Sequence, residues 1–248
     1  MSIRNSYQHE LSQKLNYFAN WLPNRPLKIG DVGPIEKRHF VYEYNLASKS
    51  PELFKTRPSD SPFDIQYYTE GSAKIEFLSD SSLPDINPLV KSKQSIKIKF
   101  ENEKSILFEA KGAIIKRVEA GNLLRQRLIT LFLENEWQLD LTIVTEIVEV
   151  EIATIIITNK ANAEVVLRSD NEIPVTGTDL LTVNASLAVE DKSSTELCMV
   201  GVSKVVPLFR LSRLRKKLFQ NKLGWDSSLY SKEESDFDFE IIEAEKYE

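Results

Sequence analysis

The stretch Leu141 to Arg168 reads LTIVTEIVEVEIATIIITNKANAEVVLR, the longest run in the chain that is dense in β-branched residues. Stiff χ1 angles suit such residues to a pleated surface better than to a helix, so the run is predicted to be strand. Asn159, Lys160, Ala161 and Asn162 interrupt it as turn residues do. This predicts a hairpin with arms near 142–158 and 163–168. On the first arm, alternation assigns Val144, Val148, Val150, Ile152 and Ile156 to one face, and Thr145, Glu149 and Glu151 to the other.

Outward from this hairpin, further segments alternate. Residues 63–79 carry Phe63, Ile65 and Tyr67 on one face, then Ala73, Ile75 and Phe77 after a break at Gly71; residues 94–110 carry Ile96, Ile98 and Phe100 opposite Lys97 and Lys99. Such alternation predicts an antiparallel sheet with one buried and one wet face, and it equally suits strands that later place an apolar face in lipid. Residues 180–189 and 196–206 are predicted to form a final antiparallel pair, and His39 to Leu46 another strand. Gly30, Gly33 and Pro34 read as a turn, and GDVG lacks the length and the Gly-Lys-Ser/Thr ending of a phosphate loop.

Three segments read as helices. In residues 6–22, Tyr7, Leu11, Leu15, Phe18 and Leu22 recur at spacings of three and four, with Ser6 as N-cap and Pro23 as stop. Arg4, Lys14, Arg25 and Lys28 surround this stripe, so the helix is suited to pack on the sheet or to lie on an anionic membrane. A second helix is predicted over 122–134, capped by Asn122 after Gly121, with Leu124, Leu128, Leu131 and Phe132 inward. A third, over 207–223, starts at Pro207 and sets Leu208, Leu211, Leu218 and Phe219 against a basic surface.

The length of 248 residues and a 42% hydrophobic fraction allow one principal domain with a substantial core. No apolar run reaches 18 residues, and the N-terminal residues lack a signal-peptide core, so a cytoplasmic protein is expected. Only His9 and His39 offer an imidazole, neither in a catalytic motif, and Cys198 stands alone in an apolar context. Neither an enzyme, nor a metal site, nor a cofactor is expected. The charge is unevenly placed. Residues 204–222 hold seven basic residues and no acid, whereas 226–248 hold nine acidic residues against Lys232 and Lys246. No aromatic platform interleaves the basic run, so no specific nucleic acid is expected. The tail keeps Phe237, Phe239, Ile241 and Ile242, too many large apolar groups for a purely disordered segment. It is therefore expected to dock, with the basic segment as its surface.

The succession LLRQRLITLFLE, IVTEIVEVEIATIIITNKANAEVVL, LLTVNASLAVEDKSS, and then a strand ending in Val205, Val206 and Pro207 resembles the pore-forming domain of gasdermins, most closely the bacterial members. Val144-Thr145-Glu146 is the most recognisable local match. The resemblance covers roughly residues 1–210 and implies an α+β fold, a twisted and mostly antiparallel sheet with an N-terminal amphipathic helix and flanking helices. It divides the chain into a domain over 1–206, a basic helix over 207–225 and an autoinhibitory acidic tail over 226–248. It also implies a latent membrane-permeabilising protein, possessing no enzyme activity, that waits in the cytoplasm and binds anionic membrane as a self-oligomer once a protease removes the tail. Arg210, Arg213, Arg215, Lys216, Lys217, Lys14, Leu11, Leu15 and Phe18 are the expected membrane or partner contacts. Gly224, Trp225, Asp226 and Tyr230 mark the expected cleavage region. The lipidated N-terminal cysteine usual in bacterial gasdermins has no counterpart in Cys198. The alternative is a non-enzymatic interaction module that uses helix 207–222, with the acidic tail as competitor.

Overall fold

The computed structural model describes residues 2–69, 73–78, 94–169, 187–193, 195–216 and 237–244. In chain order the elements are α1 (Ile3–Leu15), β1 (Phe18–Ala19), β2 (Asp31–Glu36), β3 (His39–Phe40), β4 (Tyr44–Asn45), β5 (Thr56–Pro58), β6 (Phe63–Tyr68), β7 (Ala73–Leu78), β8 (Gln94–Phe100) and β9 (Ile106–Val118). Then come α2 (Gly121–Leu133), β10 (Leu141–Thr158), β11 (Ala163–Ser169), β12 (Leu187–Ser193), β13 (Thr195–Lys216) and β14 (Phe237–Ile241). The chain is α+β, dominated by a large, twisted, mostly antiparallel sheet, with two α-helices among the described residues.

β10 is the centre of that sheet. It pairs with β13 from Thr142↔Arg213 to Thr158↔Thr195, and with β9 from Glu146↔Arg117 to Ile157↔Ile106. β2 takes the β9 side of its first residues, β5 and β6 extend the sheet beyond β9, and β1 and β14 extend it beyond β13. The bulge between Val144 and Glu146, and a second change of parity between Val150 and Ala153, break the simple alternation. Val148 and Val150 therefore join Ala153, Ile155 and Ile157 in one cluster, while Val144 and Ile147 pack elsewhere and Ile156 faces the opposite side. The single apolar face expected for this arm is in fact two buried faces.

The strands of the expected hairpin form at the expected bounds but do not pair with each other. β11 leaves the large sheet and joins a second sheet of order β12-β11-β8-β7. The pairing expected between 180–189 and 196–206 likewise does not occur: β12 pairs with β11, and β13 with β10. Four short links carry the chain between the sheets: β6 to β7, β8 to β9, β10 to β11 and β12 to β13. Along these links, the small-sheet order β7-β8-β11-β12 repeats the large-sheet order β6-β9-β10-β13. The small sheet is the large one continued strand for strand and folded over. Its apolar side, Ile96, Ile98, Phe100, Ala163, Val165 and Leu167, lies against Leu107 and Ile156.

Both helices cover the other face. α1 inserts Tyr7 and Leu11 among Phe108, Ala110, Val148 and Ile155, and α2 packs Leu124, Leu128 and Leu131 on Leu141 and Ile143. α1 is shorter than its apolar stripe suggests. Ser2 caps it by accepting from the Asn5 N–H at 3.2 Å, and Asn16 ends it in the left-handed region at φ 54°. Phe18 then belongs to β1 and is buried against Phe209 on the opposite face. Likewise α2 begins at Gly121 with Ala120, not Asn122, in the cap position. Gly33 lies within β2 rather than in a turn; a Cβ there would stand 1.7 Å from the Val41 carbonyl oxygen.

The third expected helix is absent where the chain is described: residues 207–216 are the end of β13. Leu208 and Leu214 face the helices, while Phe209 and Leu211 face the other side, so apolar residues fall at mixed spacings that imitate a helical stripe. Residues 217–223 lie outside the described residues.

Because Leu11 is fully buried under α1, Leu11→Ala is expected to cost about 2–5 kcal/mol in urea unfolding, and Lys14→Ala, at an exposed position, no more than about 0.5 kcal/mol.

Candidate functional site

The tail docks on the basic segment, as its charge suggests, but as a strand on a strand. β14 pairs antiparallel with β13 from Ser212↔Ile241 to Lys216↔Phe237. Its sequence, Phe237-Asp238-Phe239-Glu240-Ile241, alternates with period two, so one side is apolar and the other acidic. Phe237 and Phe239 pack in the cluster that holds α2, with Phe237 edge-on to Phe132 at a centroid distance of 5.1 Å. Glu240 faces the guanidinium groups: it accepts from Arg213 Nε at 2.7 Å and from Arg215 Nη1 at 3.4 Å. The chain then turns across the edge. The Ile242 N–H donates to the Leu211 carbonyl at 2.8 Å, and Ile242 and Ala244 are buried beside Phe18 and Phe209. From α2, Arg125 Nη2 donates to the Phe237 carbonyl at 2.6 Å.

Magnitudes decide what holds this segment. Burying Phe237 and Ile242 contributes on the order of 2 kcal/mol each. The Glu240 pairs have side chains 31% to 58% exposed, and such pairs contribute about 0–1 kcal/mol. Apolar burial and the strand ladder fasten the tail, and the ion pairs fix its register. The ladder also satisfies the N–H and C=O groups of β13, which would otherwise form an open sheet edge.

Next to this edge, on the helix-bearing face, sits Glu146, at 2% exposure. The bulge of β10 turns its carboxylate to the side of α1, where three groups converge from the end of α1, β9 and β13. Tyr17, just after α1, donates its hydroxyl to Oε1 at 2.6 Å, and Arg117 of β9 donates Nε to Oε2. Arg210 of β13 brings Nε to 3.5 Å from Oε1, close enough for ion pairing but without hydrogen-bond geometry. Its guanidinium rests instead over the Tyr17 ring, 4.5 Å from the centroid. A buried carboxylate needs such partners, since an unpaired one costs several kcal/mol. Burial, then the bond to Glu146, pushes the Tyr17 phenol up to about 12, and Glu146 raises the Arg117 guanidinium above its ordinary range. The cluster is an electrostatic rivet joining β9, β10, β13 and the end of α1.

The expected contact residues therefore divide. Arg210 is engaged with Glu146, and Arg213 and Arg215 with Glu240; Lys14 and Lys216 are exposed. Leu11 and Phe18 are buried in this state, and Leu15 is half-buried. Lys217 and the expected cleavage residues Gly224, Trp225, Asp226 and Tyr230 lie outside the described residues. The sequence names Glu146 only within Val144-Thr145-Glu146 and predicts that the tail docks, but neither the buried cluster nor the strand form of the tail is among its expectations. The alternation of 237–241 is a readable strand signal, whereas the burial of Glu146 depends on a bulge that no local pattern announces. Among the described residues no cluster of His, Cys, Asp and Glu has the form of a metal site, and no helix is long and apolar enough to cross a membrane. No family model matches the chain, and no curated protein is similar to it.

Two outcomes are expected. Glu240→Gln is to cost under about 1 kcal/mol, whereas Phe237→Ala is to cost about 3 kcal/mol and to accelerate hydrogen exchange of the β14 amides. The Tyr17 phenol is raised from its unfolded value near 10 to about 12. The stability it contributes is therefore complete below pH 10 and is lost as pH rises through the folded value. In urea titrations, the stability difference between wild type and Tyr17→Phe is to stay constant from pH 7 to about 9 and shrink above about 10.

Proposed function

We propose that this chain is a latent membrane-permeabilising protein of gasdermin-like architecture, held inactive by its C-terminal segment. The observation that carries this reading is the matching strand order of the two sheets. Because β7-β8-β11-β12 follow the order of β6-β9-β10-β13, straightening four short links would convert two folded-over hairpins into extensions of the large sheet without exchanging a single strand partner. Residues 73–100 and 163–193 supply more than the roughly twenty residues that a membrane-crossing hairpin needs.

The side chains agree with that use. In the small sheet Ile96, Ile98, Phe100, Ala163, Val165 and Leu167 share one face, while Lys74, Glu76, Lys97, Lys99, Glu164 and Arg168 alternate onto the other together with Val166. Cross-strand pairs link Lys97 to Glu164 at 2.7 Å and Lys99 to Glu76 at 3.1 Å. A strand sheet that crosses lipid must be apolar outward and polar inward. It must also close, since lipid satisfies no open edge. Closure requires many copies side by side, and the described tail strand occupies part of one lateral edge.

Tail removal acts on charge as well. Loss of residues 226–248, with nine acidic and two basic residues, changes the net charge from −5 to +2. Arg213 and Arg215 lose Glu240 at the same time, which favours anionic lipid. The activating step in this reading is cleavage by a partner protease near 224–232. The inactive chain belongs in the cytoplasm and the activated oligomer on the membrane.

The test is to place the recognition sequence of an exogenous protease within 224–230, fold the intact protein, and cut it in the presence of dye-loaded phosphatidylglycerol vesicles. Leakage is expected only after the cut, and faster in a Phe237→Ala background where the tail leaves more readily. A cut protein that has shed its tail, keeps its circular dichroism and releases no dye would overturn the reading. The basic strand edge would then be better understood as a docking site of an interaction module, for which the tail competes.

A further inference from the structure

A cleft of about 660 Å³ lies between α1, the segment 19–31, the β3–β4 region and β13. Its walls are apolar and aromatic, with Trp21, Leu27, Phe40, Tyr42 and Phe209 among them. Its charge is one-sided. Arg4, Arg25 and Lys28 line it against a single carboxylate, that of Asp31. That carboxylate is already committed: Oδ2 accepts from the Lys28 N–H at 2.8 Å and Oδ1 from Asn45 Nδ2 at 2.7 Å. The three cationic side chains have no acidic partner among the described residues.

Arg4 carries the unusual arrangement. Its Nε is shut away from solvent with no hydrogen-bond partner, and the Oε1 of Gln8, one helical turn on, is in the same condition at the same cleft. Burial, and then the charge of Arg25, lower the Arg4 guanidinium below its ordinary range, and burial followed by the charge of Arg4 lowers the His39 imidazole. Two guanidinium groups that repel each other without an anion between them destabilise the fold, and a buried N–H without a partner adds to that cost. An arrangement that costs stability at a cleft wall is what a ligand site displays before its ligand arrives. The volume falls within the range of small-molecule sites, and paired guanidiniums fit the oxygens of a phosphate or carboxylate.

We infer that this cleft binds a small organic anion, a phosphate ester or carboxylate with a flat apolar body, its charged group held by Arg4 and Arg25 and its body against Trp21 and Leu27. This inference does not depend on the function proposed above, although Phe209 is common to the cleft wall and to the cluster that receives Ile242 and Ala244. Gln8 offers an acceptor for a hydroxyl or amide of the same ligand.

The full-length chain is titrated calorimetrically with 1-naphthyl phosphate, 1-naphthoate and the uncharged 1-naphthol. The anions are expected to bind at least tenfold more tightly than naphthol. Arg4→Gln combined with Arg25→Gln is to weaken the anions at least tenfold and leave naphthol unchanged. Without ligand the double variant is to melt no lower than wild type, because the substitutions remove a repulsion, and this keeps lost binding distinct from lost folding. Equal affinity for naphthol and the anions, or unaltered anion binding by the double variant, would overturn the inference. So would Arg4- and Arg25-dependent binding of phosphatidylglycerol vesicles without binding of either soluble anion, which assigns the same cations to a membrane surface.

Discussion

Everything in this fold hangs on the antiparallel ladder between β10 and β13. The two strands stay paired over nearly their whole described length, and every other strand of the large sheet pairs with one of them or with a strand that does. β13 alone spans 22 residues, about 70 Å of extended chain. At one end it receives the tail strand, and at the other it is joined to the small sheet through β12. A single strand thus links the segment proposed to restrain the protein with the hairpins proposed to move. The bulges in this ladder are equally consequential, because they decide which side chains reach which face. Without the shift between Val144 and Glu146, the carboxylate of Glu146 would point away from Tyr17.

The charged groups are arranged by the same geometry. Glu146 has low exposure and is met by Arg117, Arg210 and the Tyr17 hydroxyl, so it costs little and binds three strands together. The pairs of the small sheet are more exposed and lie across neighbouring strands, where they support register more than stability. The apolar face behind them is the heavier weight. Ile96, Ile98, Phe100, Val165 and Leu167 are withdrawn from water only because the small sheet folds back on Leu107 and Ile156. The face that stabilises the folded-over state is also the one that a lipid environment would accept.

Much of this was legible in the sequence, and the exceptions have a common cause. The bounds of β10 and β11, the alternation in β6 to β8, the helix over Gly121–Leu133 and the docking of the acidic tail all follow from local periodicity and charge. What periodicity does not carry is partner choice. The turn at 159–162 resembles a hairpin turn, yet it is a bend between two sheets, and nothing within Leu141–Arg168 distinguishes the two. The basic run 207–216 reads as a helix because β13 is buried on both faces there, and a strand buried twice has no alternation to display. Phe18 falls at the spacing of the α1 stripe, but Asn16 ends the helix first. The Glu146 cluster and the cleft of Arg4 and Arg25 each join residues far apart in sequence or in different elements, so they become visible only once the ladder is in place.

The order of β13 and β14 along the chain has a consequence during synthesis. β14 follows β13 only after the segment 217–236. On a ribosome adding roughly 5–20 residues per second, the sheet can assemble through Lys216 a few seconds before its covering strand emerges. For that interval every nascent copy presents an unpaired edge, and copies made on neighbouring ribosomes of one message present it to each other. The hazard is therefore greatest in crowded translation and ends for each copy when its own β14 docks. A segment that follows the sheet in the chain can close that edge in cis, at an effective concentration that no neighbouring molecule matches.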